Sequence, residues 1–326
     1  MKHLLSLSLV FLLFACDVYS NKPVNYFQHA ESGSLATAFS DDAAIGIVSS
    51  NDEGIVVWDL QYNQKIYQWN HQGQDDNANV IGLVNISPDK SHAVTADREA
   101  FAIWDLNTGE PIGFWRIDES SVRDIAVSNG GNGILVGRGN GKVLYFEHRT
   151  GRRIEFLGHQ ERINSVALSP NGLYALTGGN DYTAFLWNTK TGQIVYKFEH
   201  PSRVTKVVLD NQGRFAFTAD SQKHARIWDL QTGQEISRLK YIQRQKIFSA
   251  ARFSEDGTQL LTGSPDRHLT LWDVQSGAKI QDWKVHPNEK SLTKSAVVYA
   301  VAFMEDNQVI SGSSSGWAEV WTVEED

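Results

Sequence analysis

Residues 158–199 read GHQERINSVALSPNGLYALTGGNDYTAFLWNTKTGQIVYKFE, and this stretch decides the fold. Short runs with apolar residues at alternate positions, such as 163–169 and 173–177, are separated by turn-forming residues at 170–172 and 178–181. Alternation at every second position predicts β-strands, and Gly, Pro, Asn and Asp between the runs predict tight turns. The stretch therefore predicts four short antiparallel strands, and it shows no sustained helical period.

The third of these strands ends in Trp187 followed by Asn188, and this ending recurs along the chain. Seven aromatic–polar pairs lie 41 to 49 residues apart: Trp58-Asp59, Trp104-Asp105, Phe146-Glu147, Trp187-Asn188, Trp228-Asp229, Trp272-Asp273 and Trp321-Thr322. A period in the low forties with this signature predicts four-stranded blades arranged around a ring. Because each blade packs on its neighbours, such a ring lets a chain of 326 residues form one domain.

The two ends of the repeat region predict how the ring closes. The chain ends on a third strand, at about 317–323, without a fourth, and a strand at about 24–30 precedes the first full repeat. Pairing these two strands would complete the seventh blade and cover an exposed edge. We therefore predict an all-β, seven-bladed propeller over residues 24–326, closed by the N-terminal strand on the C-terminal blade.

The turns between third and fourth strands carry a further signature, at Asn107-Thr108-Gly109, Arg149-Thr150-Gly151, Lys190-Thr191-Gly192, Gln231-Thr232-Gly233 and Gln275-Ser276-Gly277. With the Trp-Asp pairs, these turns make residues 24–323 similar to the WD-repeat β-propeller family. The resemblance implies a buried tetrad of His159, Thr177, Asp181 and Trp187 in the fourth repeat. In the fifth repeat Gln222 stands where Asp is expected, and the sixth repeat lacks the His.

The same resemblance implies a binding platform formed by the turns that precede the third strands. On this chain the implied partner-binding residues are Arg98, Arg138, Tyr182, His224, Arg267 and Trp317. Trp and Arg are favoured anchors at interfaces. For Trp317 the alternative is a side chain packed over its own turn. The irregular connections are acidic at 72–79 and basic at 240–246 and 284–296, which would orient a partner or place the basic side against anionic lipid head groups. Solvated loops are the alternative for these connections.

The first sixteen residues predict export and lipidation. An apolar run at 4–14 is too short to span a bilayer and is typical of a signal peptide, here residues 1–15. Leu13 to Cys16 resembles the lipobox of bacterial lipoproteins, which implies diacylglycerol and an acyl chain such as palmitate on Cys16. Residues 16–23 would then be a short tether. Asp17 resembles an inner-membrane retention signal, so we expect an inner-membrane anchor facing the periplasm, with the outer membrane as the alternative. A plain secretory signal is the other interpretation of the segment.

Charge and composition favour some partners over others. The formal net charge is −8, and residues 17–140 carry 7 Lys/Arg against 17 Asp/Glu. This imbalance would steer a basic partner, or it serves solubility alone. A nucleic-acid partner is disfavoured because phosphate binding needs a basic stripe. Cys16 is the single cysteine of the chain, which excludes an internal disulfide.

Motifs for catalysis have structural explanations. Gly312 to Gly316 matches G-x-S-x-G, but a strand is predicted after it instead of the helix that a nucleophile elbow needs. The ten His are scattered and show no metal-ligand spacing. We therefore predict no catalytic residues, no metal, and no cofactor beyond the lipid. The predicted function is a monomeric, non-catalytic scaffold that binds a protein partner; a small-ligand-binding or enzymatic propeller using its central channel is the alternative.

Overall fold

A computed structural model describes residues 22–71, 80–242, 246–289 and 294–324. The predicted signal peptide 1–15, Cys16, Asp17 and the loop 72–79 lie outside the described residues. The described chain forms seven four-stranded antiparallel sheets, together with a short 3-10 turn at Asn129–Gly131. The predicted all-β, seven-bladed propeller is confirmed.

Six blades are built from consecutive strands, numbered here from the first, innermost strand to the fourth, outermost strand. Blades 1 to 3 contain β2 (Ser34–Phe39), β3 (Ile45–Ser50), β4 (Gly54–Asp59), β5 (Gln64–Trp69); β6 (Leu83–Ile86), β7 (His92–Ala96), β8 (Ala100–Asp105), β9 (Pro111–Arg116); and β10 (Val122–Val127), β11 (Ile134–Arg138), β12 (Val143–Phe146), β13 (Arg153–Phe156). Blades 4 to 6 contain β14 (Ile163–Leu168), β15 (Tyr174–Gly179), β16 (Thr183–Asn188), β17 (Ile194–Glu199); β18 (Val204–Leu209), β19 (Phe215–Asp220), β20 (Ala225–Asp229), β21 (Glu235–Arg238); and β22 (Ala250–Phe253), β23 (Gln259–Gly263), β24 (His268–Asp273), β25 (Lys279–Lys284).

Blade 7 joins the two ends of the chain. It consists of β26 (Val298–Met304), β27 (Gln308–Ser313), β28 (Trp317–Thr322) and, as its outermost strand, β1 (Asn25–Gln28). The antiparallel register pairs Asn25 with Val320 and Gln28 with Trp317. The closure by both termini that the sequence predicts is therefore confirmed.

The hydrophobic core lies between blades, and one cluster shows the pattern. Leu135 and Tyr145 of blade 3 pack together with Val166, Phe185 and Trp187 of blade 4. The alternating apolar residues of each strand fill both faces of a blade, so each sheet is covered by a neighbour on either side. Packing of this kind makes every blade depend on the two beside it.

Hydrogen bonds near the axis also connect successive blades. Asn85 Oδ1 accepts from the backbone N–H of Val127 (3.0 Å), and Asp124 Oδ2 accepts from that of Val166 (2.8 Å). Asp124 is half-buried, and the loss of solvent around it raises the pKa of its carboxyl. These bonds hold the innermost strands of blades 2, 3 and 4 in fixed positions relative to one another.

Most innermost strands contain an irregularity at their start, and this irregularity positions the site described below. In β10 the register shifts between Val122 and Asp124, and in β14 and β18 it shifts between residues 163 and 165 and between 204 and 206. An extra residue of this kind is a β-bulge, which redirects a side chain. In blade 3 that residue is Arg123.

Candidate interaction face

One end of the ring is formed by the turns between second and third strands and by the connections between blades; we call it the turn face. The two kinds of loop are bonded to each other. The backbone N–H of Asn180, in such a turn, donates to the carbonyl of Arg162 (2.8 Å), which directly precedes β14. The N–H of His200, at the connection to blade 5, donates to the carbonyl of Tyr182 (2.8 Å). The turn face is therefore built from segments of neighbouring blades.

The structure brings three of the four tetrad residues of blade 4 into contact. His159 Nδ1 lies 2.9 Å from Asp181 Oδ2, and His159 Nε2 lies 2.9 Å from Thr177 Oγ1. Although burial raises the pKa of Asp181, its hydrogen bond with His159 holds that pKa below the usual value. Trp187 is fully buried in the hydrophobic cluster at the junction with blade 3, and its Nε1 lacks the hydrogen bond to Thr177 that a complete tetrad would contain.

A Thr–His–Asp chain resembles the order of groups in a hydrolase triad. Thr177, however, has no exposed surface. A nucleophile must be reached by its substrate. The hydroxyl of Thr177 therefore serves packing, because it satisfies the buried imidazole of His159.

Blade 5 obtains its carboxylate from a residue that the sequence analysis did not assign. His200 Nε2 lies 2.8 Å from Thr218 Oγ1, and Trp228 Nε1 donates to the same oxygen at 2.8 Å. The carboxylate of Asp220, fully buried at the end of β19, lies 3.7 Å from His200 Nδ1 and accepts from His224 Nδ1 at 3.0 Å. The carboxylate expected at Gln222 is thus supplied two residues earlier.

Blade 2 holds a third set of this kind, which was not predicted from the sequence. Trp104 Nε1 donates to Thr95 Oγ1 (2.8 Å), and His71 Nδ1 lies 3.8 Å from Asp97 Oδ2. Burial lowers the pKa of His71. Asp97 follows Thr95 by two residues, whereas Asp181 follows Thr177 by four, so the spacing of blade 4 does not reveal this set.

Blade 6 places a lysine where blades 4 and 5 have a histidine. Lys246 is 7% exposed, and its Nζ lies 5.7 Å from the ring centroids of both Phe248 and Trp272. Trp272 Nε1 donates to Thr262 Oγ1 at 2.8 Å, as the equivalent tryptophan does in blade 5. Burial lowers the pKa of Lys246, and the nearby carboxylate of Asp266 opposes that shift. Lys246 is therefore buried, and the solvated loop considered for residues 240–246 does not describe its side chain.

The six residues predicted to form a partner-binding face have different environments. Arg98 and Tyr182 are exposed on turns of the turn face. His224 and Arg267 are half-buried; the first bonds Asp220, and the second donates to the carbonyl of Val285 (2.7 Å). These two side chains are committed to contacts within the propeller.

The other two predicted residues lie in strands and not in turns. Arg138 is the last residue of β11, is 5% exposed, and donates to Glu155 Oε1 at 2.8 Å. Trp317 is the first residue of β28, and its ring packs edge-on against Tyr26 of β1, with centroids 5.5 Å apart. Arg138 is therefore buried in blade 3, and Trp317 is half-buried at the closure of blade 7.

Three exposed arginines on the turn face were missed from the sequence. Arg123 is the bulge residue of β10, and Arg162 and Arg203 directly precede β14 and β18. The carbonyl of Arg203 accepts from the N–H of Ser221 (2.9 Å), as that of Arg162 does from Asn180. A signal for them existed, because Arg162 and Arg203 lie 41 residues apart, at the repeat spacing.

A cleft of about 590 Å³ opens on the turn face across blades 4, 5 and 6. Its lining includes Tyr182, Arg203, Gln222, Lys246, Ile247 and Asp266. Tyr182 is 53% exposed and has a left-handed backbone, with φ of 66°. A non-glycine residue in that conformation costs free energy, and such positions occur often at functional sites.

The hydrolase-like stretch 312–316 forms a turn. It joins β27, which ends at Ser313, to β28, which starts at Trp317, so a strand follows the serines as predicted. The Oγ atoms of Ser313 and Ser315 lie 2.6 Å apart and both residues are buried. Among the described residues we find no group of three or more His, Cys, Asp or Glu side chains arranged to hold a metal ion. Nor does the described part of the chain contain a helix with the length and apolar character needed to cross a bilayer.

The architecture defines a seven-bladed β-propeller, and comparison with known families shows the kind of repeat it contains. Residues 151–188, 192–229 and 238–273 each match the WD40 family, described as WD domain, G-beta repeat. Three consecutive stretches of the chain are therefore similar to WD40 repeats, in the region that contains the cleft. No curated protein matches the chain. WD40 propellers are generally non-catalytic and commonly mediate protein interactions.

Proposed function

We propose that this protein is a non-catalytic scaffold that binds a protein partner on the turn face. The proposal includes a lipid anchor on Cys16 that holds the propeller at a bacterial membrane, facing the periplasm. Asp17 favours the inner membrane, with the outer membrane as the alternative. The sequence supports these points through its short apolar segment before the single cysteine.

The observation that carries the proposal is the position of Tyr182. Its ring is largely exposed on a left-handed turn at the edge of the cleft, beside the half-exposed Ile247. Aromatic anchors next to pockets are the residues that dominate binding energy at protein interfaces. Because the cleft spans three blades, a bound segment would contact loops that the fold already holds rigid.

Photo-crosslinking in the native cell tests the proposal. A photo-reactive phenylalanine derivative replaces Tyr182, and the control carries it at Lys190, which is exposed on a turn between third and fourth strands. We expect a discrete protein adduct from position 182 that is absent from position 190. The same adduct from both positions, or none from either, would contradict a specific partner on the turn face.

A small ligand in the cleft or in the central channel is the second candidate. The cleft volume falls within the range of small-molecule sites, roughly 300–1,000 Å³. If crosslinking finds no protein, a rise in melting temperature with a small molecule, lost in a Gln222→Trp variant that fills the cleft, would favour this candidate.

A further inference from the structure

Four arginines lie at the inner part of the turn face in four consecutive blades. Arg162 and Arg203 directly precede the innermost strands β14 and β18, whereas Arg123 lies within β10 and Arg98 in the turn between β7 and β8. We call Arg98, Arg123, Arg162 and Arg203 the arginine crescent. Arg98 of blade 2 is joined to blade 3, because its carbonyl accepts from the N–H of Val122 (2.8 Å), the neighbour of Arg123.

A corresponding connection joins blade 4 to blade 5. Arg162 Nε donates to Asn164 Oδ1 (3.2 Å), and Asn164 Nδ2 donates to the carbonyl of Val204 (2.7 Å), the neighbour of Arg203. Asn164 corresponds in β14 to the bulge residue Arg123 of β10. The crescent therefore follows the inner ends of blades 2 to 5.

The guanidinium groups of the crescent lack acidic partners. All four residues are exposed, and within the described residues none of them forms an ion pair. Glu161, the exposed neighbour of Arg162, also forms none there. Other arginines of the chain do pair: Arg116 with Glu99 at 2.9 Å, and Arg214 with Asp210 at 2.8 Å.

Arg123 is also repelled by two other members of the crescent. Partial burial lowers the pKa of Arg123, and the positive charges of Arg162 and Arg98 lower it further. Like charges held together without counterions raise the free energy of the folded chain. A ligand that supplies negative charge would remove this repulsion, so the arrangement favours an anionic partner.

We propose that the arginine crescent binds an acidic segment of the partner protein, rich in Asp or Glu. This inference rests on the proposed function and names the chemistry of its partner. Guanidinium groups bind carboxylates through paired hydrogen bonds, and the exposed ring of Tyr182 lies on the turn between Arg162 and Arg203 in blade 4. A long polyanion such as nucleic acid fits less well, because the chain carries a net charge of −8.

The test uses detergent-solubilised full-length protein and a fluorescein-labelled deca-glutamate peptide, with deca-glutamine as the neutral probe. The variant Arg123→Gln/Arg162→Gln removes two charges from the crescent. The matched control, Arg149→Gln/Lys190→Gln, removes two charges from turns between third and fourth strands, at the opposite face. We expect the crescent variant to bind deca-glutamate about tenfold or more weakly, because each charge-assisted bond contributes of the order of one power of ten.

The expected melting temperature of the crescent variant is equal to or above that of the wild type, so a loss of binding would not reflect unfolding. Equal weakening in both double variants, or equal binding of deca-glutamine, would overturn the proposal. So would tighter binding of a single-stranded DNA oligonucleotide or of phosphatidylglycerol vesicles than of deca-glutamate, because the anion would then be of another class.

The crosslink from position 182 separates this inference from the proposed function. An adduct that persists unchanged in the crescent variant would overturn the acidic-segment proposal and leave the scaffold proposal intact. An adduct that disappears in the crescent variant but remains in the control variant supports both.

Discussion

Phe156, the last residue of β13 in blade 3, stacks face to face on Trp187 of blade 4, with ring centroids 4.6 Å apart and planes 3° from parallel. All seven junctions between blades contain a ring contact between a residue near or just after the end of the outermost strand and the signature aromatic of the next blade; four of these contacts are stacked and three are tilted or edge-on. The pairs are His29–Trp58, Trp69–Trp104, Trp115–Phe146, Phe156–Trp187, Phe198–Trp228, Tyr241–Trp272 and Trp283–Trp321. The signature aromatic of each blade therefore also holds the preceding blade.

Replacing Phe156 with alanine tests the importance of these junctions. We expect the Phe156→Ala variant to lose about 3–5 kcal/mol of unfolding free energy, the usual scale for a buried phenylalanine. The matched control is Leu157→Ala, one residue further along, where the side chain is 66% exposed. Urea unfolding followed by tryptophan fluorescence measures both, and equal stability of the two variants would show that the junction is not important.

The junction between blades 7 and 1 uses a histidine, and this makes ring stability depend on pH. His29 is 5% exposed, stacks on Trp58 at 4.4 Å, and its Nε2 lies 3.0 Å from Asn63 Oδ1. Burial lowers the pKa of His29 to about 4, and the bond to Asn63 partly opposes this. Between pH 6.5 and about 4, the imidazole of His29 is therefore protonated in the unfolded chain and neutral in the folded chain.

Stability conferred by neutral His29 is complete above pH 6.5 and declines as the pH falls toward 4, by roughly 3 kcal/mol in total. His71 and His200, whose pKa values burial also lowers, contribute in the same direction. The measurement is unfolding free energy between pH 4.5 and 7 for wild type and His29→Phe, which retains a ring on Trp58. The variant should have the shallower pH dependence; parallel curves would contradict the role of His29.

Lys246 makes the free energy of unfolding depend on pH in the alkaline range. Burial lowers its pKa, so between the folded and unfolded pKa values the unfolded chain binds more protons, and stability rises with pH there. We expect Lys246→Met, which keeps the length of the side chain, to be more stable than wild type at pH 7 by about 1 kcal/mol. It should also lack the gain in stability that the wild type shows as the pH rises toward 10.5, the ordinary pKa of lysine, whereas the exposed Lys190→Met should retain it. A clear loss of stability in Lys246→Met at pH 7 would mean that the cation is required over the aromatic rings.

Changing Cys16 to alanine tests the predicted anchor. We expect the Cys16→Ala protein to stay unprocessed or to appear in the soluble fraction, because the acylation site is removed. Cell fractionation combined with intact-mass measurement distinguishes these outcomes. A cleaved Cys16→Ala protein that remains tightly bound to the membrane would contradict lipidation.

The sequence predicted the number of blades and their closure because both depend on a pattern that repeats with the strands. Trp187 and its equivalents must recur wherever a junction needs an aromatic ring, so their spacing counts the blades. The closure followed from one extra strand before the first repeat and one missing strand in the last, and Gln28 and Trp317 pair where these two ends meet. The blade count and the closure can still be recognised when the repeat spacing varies by a residue or two.

The residues of the turn face were harder to predict from the sequence, because each is a single residue whose position within the repeat differs from blade to blade. Arg123 faces the turn face because of a bulge, which a strand pattern does not indicate. Lys246 follows a connection longer than that of blade 4, so its replacement of the tetrad histidine was concealed. Arg138 was placed in a turn, yet β11 continues to include it. The charge count over 17–140 favoured a basic partner, whereas two of the seven cations in that region belong to the crescent and favour an acidic one.

The pairing of β1 with β28 imposes an order on how the molecule is made. Gln28 and its partner Trp317 are separated by 289 positions along the chain. A ribosome releases β1 before every other strand of the propeller and β28 after them, so the first strand waits for all the others before its partner exists. Contacts between such distant segments form slowly, since a long loop must close before they are gained. Because β28 pairs with both β1 and β27, a chain that lacks β28 would leave an edge of each of these strands unpaired.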